Sequence, residues 1–143
     1  DFIGADWFNT DPLIAWSWER PSAEALLARL REAGIRYIAY DRGKINTPGY
    51  FGFYRLFRLP LEKGEPLLRE LYGREYTRLR FPYAYNQWLQ RFTQRLEEAE
   101  RQSPNIQALE TLLDGGMLPE IFRSNEHPAP PGGGVLILRV SEK

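Results

Sequence analysis

The chain of 143 residues contains no cysteine, one methionine and one histidine. The absence of cysteine excludes disulfides, thiolate catalysis and cysteine-ligated zinc. A histidine-based metal site needs several ligands, and a catalytic triad needs a serine on a suitable elbow, and neither pattern is present. We therefore interpret His127 as a residue of the Pro/Gly-rich loop that surrounds it, and we expect no metal site.

The sequence also lacks long hydrophobic runs and a net charge. No stretch approaches the roughly 18–20 apolar residues that a membrane-spanning helix needs. The 19 basic and 19 acidic side chains cancel, and no zinc-finger or RNP signature is present, so we expect no nucleic-acid partner. Residues 132–134 are three glycines, but they precede a predicted strand, whereas glycines that cradle phosphate follow one. We expect no cofactor.

The remaining composition is typical of a globular chain, with 43% hydrophobic and 27% charged residues. The length suits a single domain. Aromatic residues reach 14%, which is high. The sequence begins at Asp1 without a methionine, and Met117 is the only methionine. We expect residues 1–143 to be one domain excised from a larger protein.

The clearest local pattern is a helix followed by a glycine and a strand. Ser22 is a good N-cap, and the leucines of residues 26–30 form an apolar stripe. Gly34 stands where a helix ends, and Ile35–Tyr40 alternates as a strand does. This unit predicts a helix packed on a sheet.

Other segments give weaker patterns. Residues 50–59 are compatible with a strand or with an irregular aromatic segment. The nearly unbroken apolar run of residues 135–140 predicts a central or doubly covered strand. We predict an α/β fold, a single domain with a small mixed β-sheet of about four strands packed with helices. The further predicted elements are a possible strand at 2–5, helices at 66–73, from 82 onward and at 106–113, and a strand at 118–123.

Acidic and aromatic residues near the N-terminus are candidate binding residues. Asp6 and Asp11 flank Trp7, and paired carboxylates can do acid–base or metal work when they lie close together. The alternative is that these aspartates form turns and caps. Asp41 follows the strand of residues 35–40, and α/β sheets often place ligand contacts at a strand's carboxyl end. A simple turn role for Asp41 is the alternative.

Residues 42–80 form a basic and aromatic segment. They contain nine basic and four acidic side chains, with seven tyrosines and phenylalanines between them. Such a surface suits an anionic membrane, a phosphorylated lipid or sugar, or single-stranded nucleic acid, of which the last is the weakest. The alternative is that the aromatic rings are core and the arginines a solvated rim. The candidate binding residues here are Tyr50, Arg55 and Arg58.

The helix–glycine–strand unit also resembles a known family. Residues 21–24 (PSAE) cap a helix, and residues 30–38 (LREAGIRYI) follow the pattern L-R-x-x-G-[IV]-x-[YH]-[IL]. This arrangement is similar to the C-terminal extracytoplasmic domains of polytopic bacterial glycosyltransferases of the GT-C type, which are related to dolichyl-phosphate-mannose–protein mannosyltransferases. The resemblance covers the first forty residues and about the last twenty-five, and the basic aromatic segment has no counterpart.

The resemblance implies a non-catalytic soluble domain beyond the last membrane span, on the periplasmic or outer face of the membrane. Its partner would be the membrane part of the parent chain, which holds the catalytic acidic residue in that family, so no catalytic residue is assigned here. The basic aromatic segment would then rest on anionic lipid headgroups or near a lipid-linked sugar.

Two other functions are compatible with the sequence. One is a stand-alone carbohydrate or small-ligand binding module, in which the rings of Trp7, Trp16 and Trp18 stack on a sugar. Burial of these rings in the core is the favoured alternative, and in a strand Trp16 and Trp18 would face the same side. The other function is a small enzyme that uses Asp6, Asp11 or Asp41.

Overall fold

A computed structural model describes residues 12–41, 52–75, 80–124 and 135–140. In this part of the chain, six helices accompany three strands, and the predicted α/β class in a single domain is confirmed. The elements in chain order are α1 Pro12–Glu19, α2 Ala23–Glu32, β1 Tyr37–Asp41, α3 Gly52–Arg58, α4 Leu61–Glu75, α5 Pro82–Arg101, α6 Pro104–Asp114, β2 Glu120–Arg123 and β3 Val135–Arg139.

The helix–glycine–strand unit is confirmed. The Ser22 hydroxyl accepts a hydrogen bond from the backbone N–H of Ala25 at 3.1 Å, which caps α2. Gly34 has a φ of 71°, a left-handed conformation that favours glycine. The backbone N–H of Ile35 then donates to the Leu30 carbonyl at 2.9 Å, which closes the helix end before β1 begins.

The sheet has the order β1-β3-β2, and both pairings are antiparallel. The prediction that residues 135–140 form a central strand is confirmed, with Leu136 and Leu138 buried. The sheet differs from the expected mixed sheet of about four strands, since the described residues contribute three strands, all antiparallel. β2 and β3 are consecutive along the chain, and consecutive strands pair most simply in antiparallel fashion. The register shifts between Glu120 and Phe122.

The prediction of a strand or an irregular aromatic segment at residues 50–59 is wrong, because residues 52–58 form the helix α3. Its Leu56 side chain and the following Leu59 are buried against α4 and α5. The helices α3 and α4 approach closely at Gly64, where a Cβ atom would lie 3.0 Å from the Leu56 carbonyl oxygen. The three-residue spacing of Leu56 and Leu59 therefore fits a helix, whereas the aromatic content had suggested a strand.

Residues 13–18 form part of the helix α1 and not a strand. Trp16 and Trp18 therefore point to different sides of the element. Trp16 is half-buried against the first hydrophobic cluster, whereas Trp18 is 42% exposed. The predicted burial in the core is therefore only partly confirmed for Trp16 and is wrong for Trp18. Residues two positions apart in a helix are rotated by about 200° around the helix axis, so the two rings do not face the same side.

The predicted helix start at Pro66 is wrong, because α4 begins at Leu61 and contains Pro66 in its interior. Proline removes the N–H that would bond to the carbonyl four residues earlier. Burial of Leu71, and partial burial of Leu67 and Leu68, offset this cost. The predicted helices at 82 onward and at 106–113 are confirmed as α5 and α6.

The core consists of two hydrophobic clusters. The first cluster joins α1, α2, α6 and the sheet, and Leu26 and Leu112 at its centre are fully buried. The second cluster joins α3, α4 and α5 around Phe92 and Leu96. The helix α6 supplies Ile106 to the second cluster and Leu112 to the first, so it links the two.

Candidate functional site

The structure brings together two of the seven predicted site residues, Arg55 and Arg58. Asp6, Trp7, Asp11 and Tyr50 lie outside the described residues. Asp41 is the last residue of β1 and pairs in register with Val135 of the central strand. Asp41 therefore does lie at a strand's carboxyl end, as the sequence predicted.

Arg55 and Arg58 lie one turn apart on α3 and share one carboxylate, that of Glu100 near the end of α5. Each guanidinium forms an ion pair with a different oxygen of Glu100. A third, longer contact joins Arg55 Nε to Glu100 Oε2 at 3.4 Å. Arg58 and Glu100 are 5% and 8% exposed. Arg58 is thus neither on a solvated rim nor open to a ligand, because its guanidinium is buried in an ion pair with Glu100.

The backbone carbonyl of Arg58 is a second place at which side chains from different helices come together. It accepts hydrogen bonds from Trp18 Nε1 at 3.0 Å and from Asn105 Nδ2 at 2.7 Å. The same Asn105 nitrogen lies 3.3 Å from the Ser17 hydroxyl, which donates to the Ile14 carbonyl. These bonds satisfy a carbonyl at the end of α3 and connect α1, α3 and α6, and the ion pairs of Glu100 add α5. We call this set of side chains the polar junction; it consists of Ser17, Trp18, Arg55, Arg58, Glu100 and Asn105.

Two buried polar atoms of the junction have no hydrogen-bond partner among the described residues, Arg58 Nε and Asn105 Oδ1. One carboxylate also faces two guanidinium groups, so the junction carries an excess of positive charge. Glu100 and Asn105 are not among the residues that the sequence pattern indicated. A signal for Glu100 was present, since it continues the apolar face of α5 at the four-residue spacing of Phe92 and Leu96.

A second candidate site is formed by exposed aromatic residues where α4 ends and α5 begins. Tyr72, Phe81 and Tyr83 are 63%, 60% and 76% exposed. Arg80, also exposed, adjoins Phe81. We call these four residues the aromatic end. The hydroxyl of Tyr83 accepts a hydrogen bond from Gln87 Nε2 at 3.1 Å, one turn along α5.

The contacts of Glu70 show that the residues of the aromatic end share one end of the α4–α5 pair. Glu70 accepts hydrogen bonds from Trp88 Nε1 at 2.9 Å and from the Arg95 guanidinium at 2.5 Å. Tyr72 follows Glu70 by two residues, and Tyr83 precedes Trp88 by about one and a half turns. Both tyrosines therefore lie towards the same end of the α4–α5 pair, relative to the contacts of Glu70.

The aromatic end lies in a positively charged part of the sequence. Between Glu75 and Glu97 there is no acidic residue, whereas there are four arginines, at positions 78, 80, 91 and 95. Arg95 is paired with Glu70. The hydrogen bond from Arg95 is the main cause that holds the pKa of the Glu70 carboxyl below its ordinary value, with burial acting in the opposite direction.

Among the described residues, no group of three or more histidine, cysteine, aspartate or glutamate side chains lies where it could hold a metal ion. No helix in the described ranges has both the length and the apolar character required to cross a bilayer.

Comparison with known proteins gives no relative. No protein-family model matches the sequence, no curated protein is significantly similar to it, and no solved structure matches it. The resemblance of the first forty and about the last twenty-five residues to glycosyltransferase domains therefore stays a prediction.

Proposed function

We propose that the chain is a non-catalytic accessory domain of a membrane glycosyltransferase-like protein, and that it contacts anionic lipid headgroups through the aromatic end. The observation that carries the proposal is the exposure of three aromatic rings, each by 60% or more, beside an exposed arginine. Exposed aromatic side chains that gather at one end of a helix pair are typical of interaction surfaces.

The chemistry of these four residues suits the boundary between water and lipid. Rings of tyrosine and phenylalanine lie at the level of the headgroups, where one part of the ring is in an apolar environment and the other is hydrated. A cationic residue close to an anionic membrane surface contributes about 1 kcal/mol of attraction. Residues 76–96 contain no acidic side chain that would oppose this attraction.

The proposed parent protein rests on the sequence resemblance of the first forty and about the last twenty-five residues. In that family, a domain of this kind lies outside the cytoplasm and is tethered by the membrane part of the chain. A position next to the bilayer brings the aromatic end close to lipid headgroups and to a lipid-linked sugar, which also carries phosphate. The membrane part would supply the catalytic residues.

Co-sedimentation with lipid vesicles tests the proposal. We expect the chain to sediment with vesicles that contain phosphatidylglycerol and to stay in solution with pure phosphatidylcholine. Arg80→Gln should weaken partitioning about fivefold, which is the equivalent of about 1 kcal/mol. Arg101→Gln is the matched control, because it removes the same charge from the opposite end of α5.

Phe81→Ala tests the aromatic contribution in the same assay, with Phe122→Ala as its control. Both rings are more than half exposed, but Phe122 lies in β2. We expect reduced sedimentation for Phe81→Ala only. Equal recovery of the unmodified chain with neutral and anionic vesicles would contradict the proposal.

A second candidate function, carbohydrate binding, is favoured by one observation. The ring of Trp18 is partly exposed and is held in place by the hydrogen bond from Nε1 to the Arg58 carbonyl. A fixed aromatic face can stack on the apolar side of a sugar. Trp16 is less suited, because the Arg29 guanidinium lies 4.8 Å from its ring centroid. Titration with soluble oligosaccharides, compared with Trp18→Ala, tests this alternative.

A further inference from the structure

Three exposed arginines have no partner for their charge within the part of the chain that the structure describes. The side chains of Arg80, Arg91 and Arg139 take part in no ion pair or hydrogen bond there. Arg139 lies in β3, whereas Arg80 and Arg91 belong to the stretch of residues 76–96 that has no acidic side chain. The charges of Arg80 and Arg91 are therefore available to an anion from outside the domain.

Arg91 continues an exposed row of side chains on α5 that starts at the aromatic end. Tyr83, Gln87 and Arg91 are spaced by four residues and are all exposed, so they share one side of the helix. The row covers about 12 Å along the helix axis. A helical side chain lies over the turn that precedes it, so Arg91 lies over the turn of Gln87 and leans towards the aromatic end. We call these three residues the α5 row.

A hydrogen bond inside the α5 row determines what the row offers to a ligand. Gln87 Nε2 donates to the Tyr83 hydroxyl oxygen at 3.1 Å. The Tyr83 hydroxyl proton is therefore left to donate, and the Gln87 amide oxygen is left to accept. Arg91 adds a cation with several N–H donors. A donor, an acceptor and a cation side by side match a phosphate group that carries a hydroxyl group close to it.

The surroundings of the α5 row are unsuited to a headgroup that contains an ammonium group. An ammonium group has donors only and needs acceptors, and it is repelled by Arg91. Residues 76–96 supply no carboxylate. The carboxylate of Glu70, which reaches α5 from α4, is already bound by Trp88 and Arg95.

We propose that the α5 row selects the lipid that the aromatic end contacts, and that it favours an anionic phospholipid with a hydroxylated headgroup, such as phosphatidylglycerol. This inference rests on the proposed function and names the class of headgroup. The lipid phosphate accepts hydrogen bonds from the Arg91 guanidinium and the Tyr83 hydroxyl, and a headgroup hydroxyl donates to the Gln87 amide oxygen.

Vesicles of equal charge separate headgroup recognition from simple electrostatic attraction. Phosphatidylglycerol and phosphatidylserine each carry a single net negative charge, and each is mixed into phosphatidylcholine at the same mole fraction. In co-sedimentation we expect the whole chain to partition about fivefold more strongly to the phosphatidylglycerol vesicles, which is the effect of one net hydrogen bond. Equal partitioning to the two kinds of vesicle would overturn the proposal.

Gln87→Ala tests the acceptor of the headgroup hydroxyl. We expect the preference for phosphatidylglycerol over phosphatidylserine to fall about fivefold, to near equality. Gln94→Ala is the matched control, because it removes the same amide from an exposed position on α5 about 10 Å further from the aromatic end. A preference that survives Gln87→Ala, or that Gln94→Ala abolishes as well, would overturn the role of the α5 row.

Arg91→Gln tests the contact with phosphate. We expect partitioning to both kinds of anionic vesicle to weaken about fivefold. Arg139→Gln is the matched control, because it removes an equally unpaired charge from the sheet. Equal weakening by the two substitutions would show that the charge of the whole chain drives binding, and it would overturn the proposal.

Failure of this inference is distinct from failure of the proposed function. A chain that sediments equally with phosphatidylglycerol and phosphatidylserine vesicles overturns the headgroup preference and leaves the lipid contact of the aromatic end intact. A chain that sediments with neither overturns the lipid contact, and with it the headgroup preference.

Discussion

At the scale of single residues, the least expected feature is a glutamate on the apolar face of a helix. Glu100 occupies a position that the spacing of Phe92 and Leu96 would assign to a hydrophobic side chain. A buried charge is tolerated only when it is paired and hydrogen-bonded, and Glu100 has two arginines as partners. Removing either side of such a pair leaves an uncompensated buried charge.

Glu70 is a more exposed glutamate whose ionisation is linked to folding. The hydrogen bond from Arg95 is the main cause that lowers the pKa of its carboxyl in the folded chain, and Trp88 adds a second hydrogen bond. A group with a lowered folded pKa stabilises the fold above its unfolded pKa. That contribution is lost as the pH falls through the folded value.

We therefore predict a specific effect of Glu70→Gln on the pH dependence of stability. At about pH 7 the variant should be less stable than the unmodified chain. The difference should be smaller at about pH 3, below the ordinary glutamate pKa of about 4.3, because the unfolded chain then already binds the proton that the folded carboxyl, with its lowered pKa, resists. Urea unfolding at both pH values measures this. Glu110→Gln, at an exposed position of α6, is the control. A difference that stays constant with pH would contradict the assignment.

At the scale of elements, the end of α2 shows how one glycine separates a helix from a strand. Gly34 adopts a φ of 71°, and a Cβ atom at this position would meet no neighbour within 4 Å. The preference for glycine is therefore conformational and not steric. Gly73 is a useful contrast, because it lies within α4, has no positive φ and also has open space around its Cα.

These two glycines predict opposite effects of the same substitution. Gly34→Ala should lower the free energy of unfolding by about 1 kcal/mol, because alanine disfavours the left-handed conformation. Gly73→Ala should raise it by about 0.5–1 kcal/mol, because alanine is the better helix former. Chemical denaturation of both variants measures the difference. Destabilisation by Gly73→Ala would show that α4 is not helical at that point.

At the scale of the whole molecule, the two hydrophobic clusters are coupled through α6. Ile106 belongs to the second cluster, and Leu109 and Leu112 of the same helix belong to the first. The polar junction adds hydrogen bonds and ion pairs where α1, α3, α5 and α6 meet. Because of this shared helix, neither cluster should lose its packing without affecting the other.

We predict that urea unfolds the chain in one cooperative transition. Far-UV circular dichroism and tryptophan fluorescence should give the same midpoint, because Trp16 reports on the first cluster and Trp88 on the second. Ile106→Ala should lower the free energy of unfolding by about 2–5 kcal/mol and keep the two midpoints coincident. Separate midpoints would show that the clusters unfold independently. Leu61→Ala, at an exposed position, is the control.

The elements that could be predicted correctly are those whose signals are local in the sequence. One helix, α2, was predicted from its start to its end by the Ser22 cap, its leucines and Gly34. The central strand was predicted by the apolar run of residues 135–140. The sequence also indicated Arg55 and Arg58, but as surface residues that bind a ligand. Capping, apolar spacing and glycine conformation act within a few residues, so they can be read along the chain.

Contacts between segments distant in sequence account for the helices α1 and α3, for the continuation of α4 through Pro66, and for the pairing of Arg55 and Arg58 with Glu100. Glu100 lies more than forty residues away from its partners, and no local pattern relates residues at that separation. The segments of α1 and α3 are too short to favour a helix without burial against their neighbours. Whether an arginine there meets a carboxylate or the solvent depends on packing between helices that are distant in sequence.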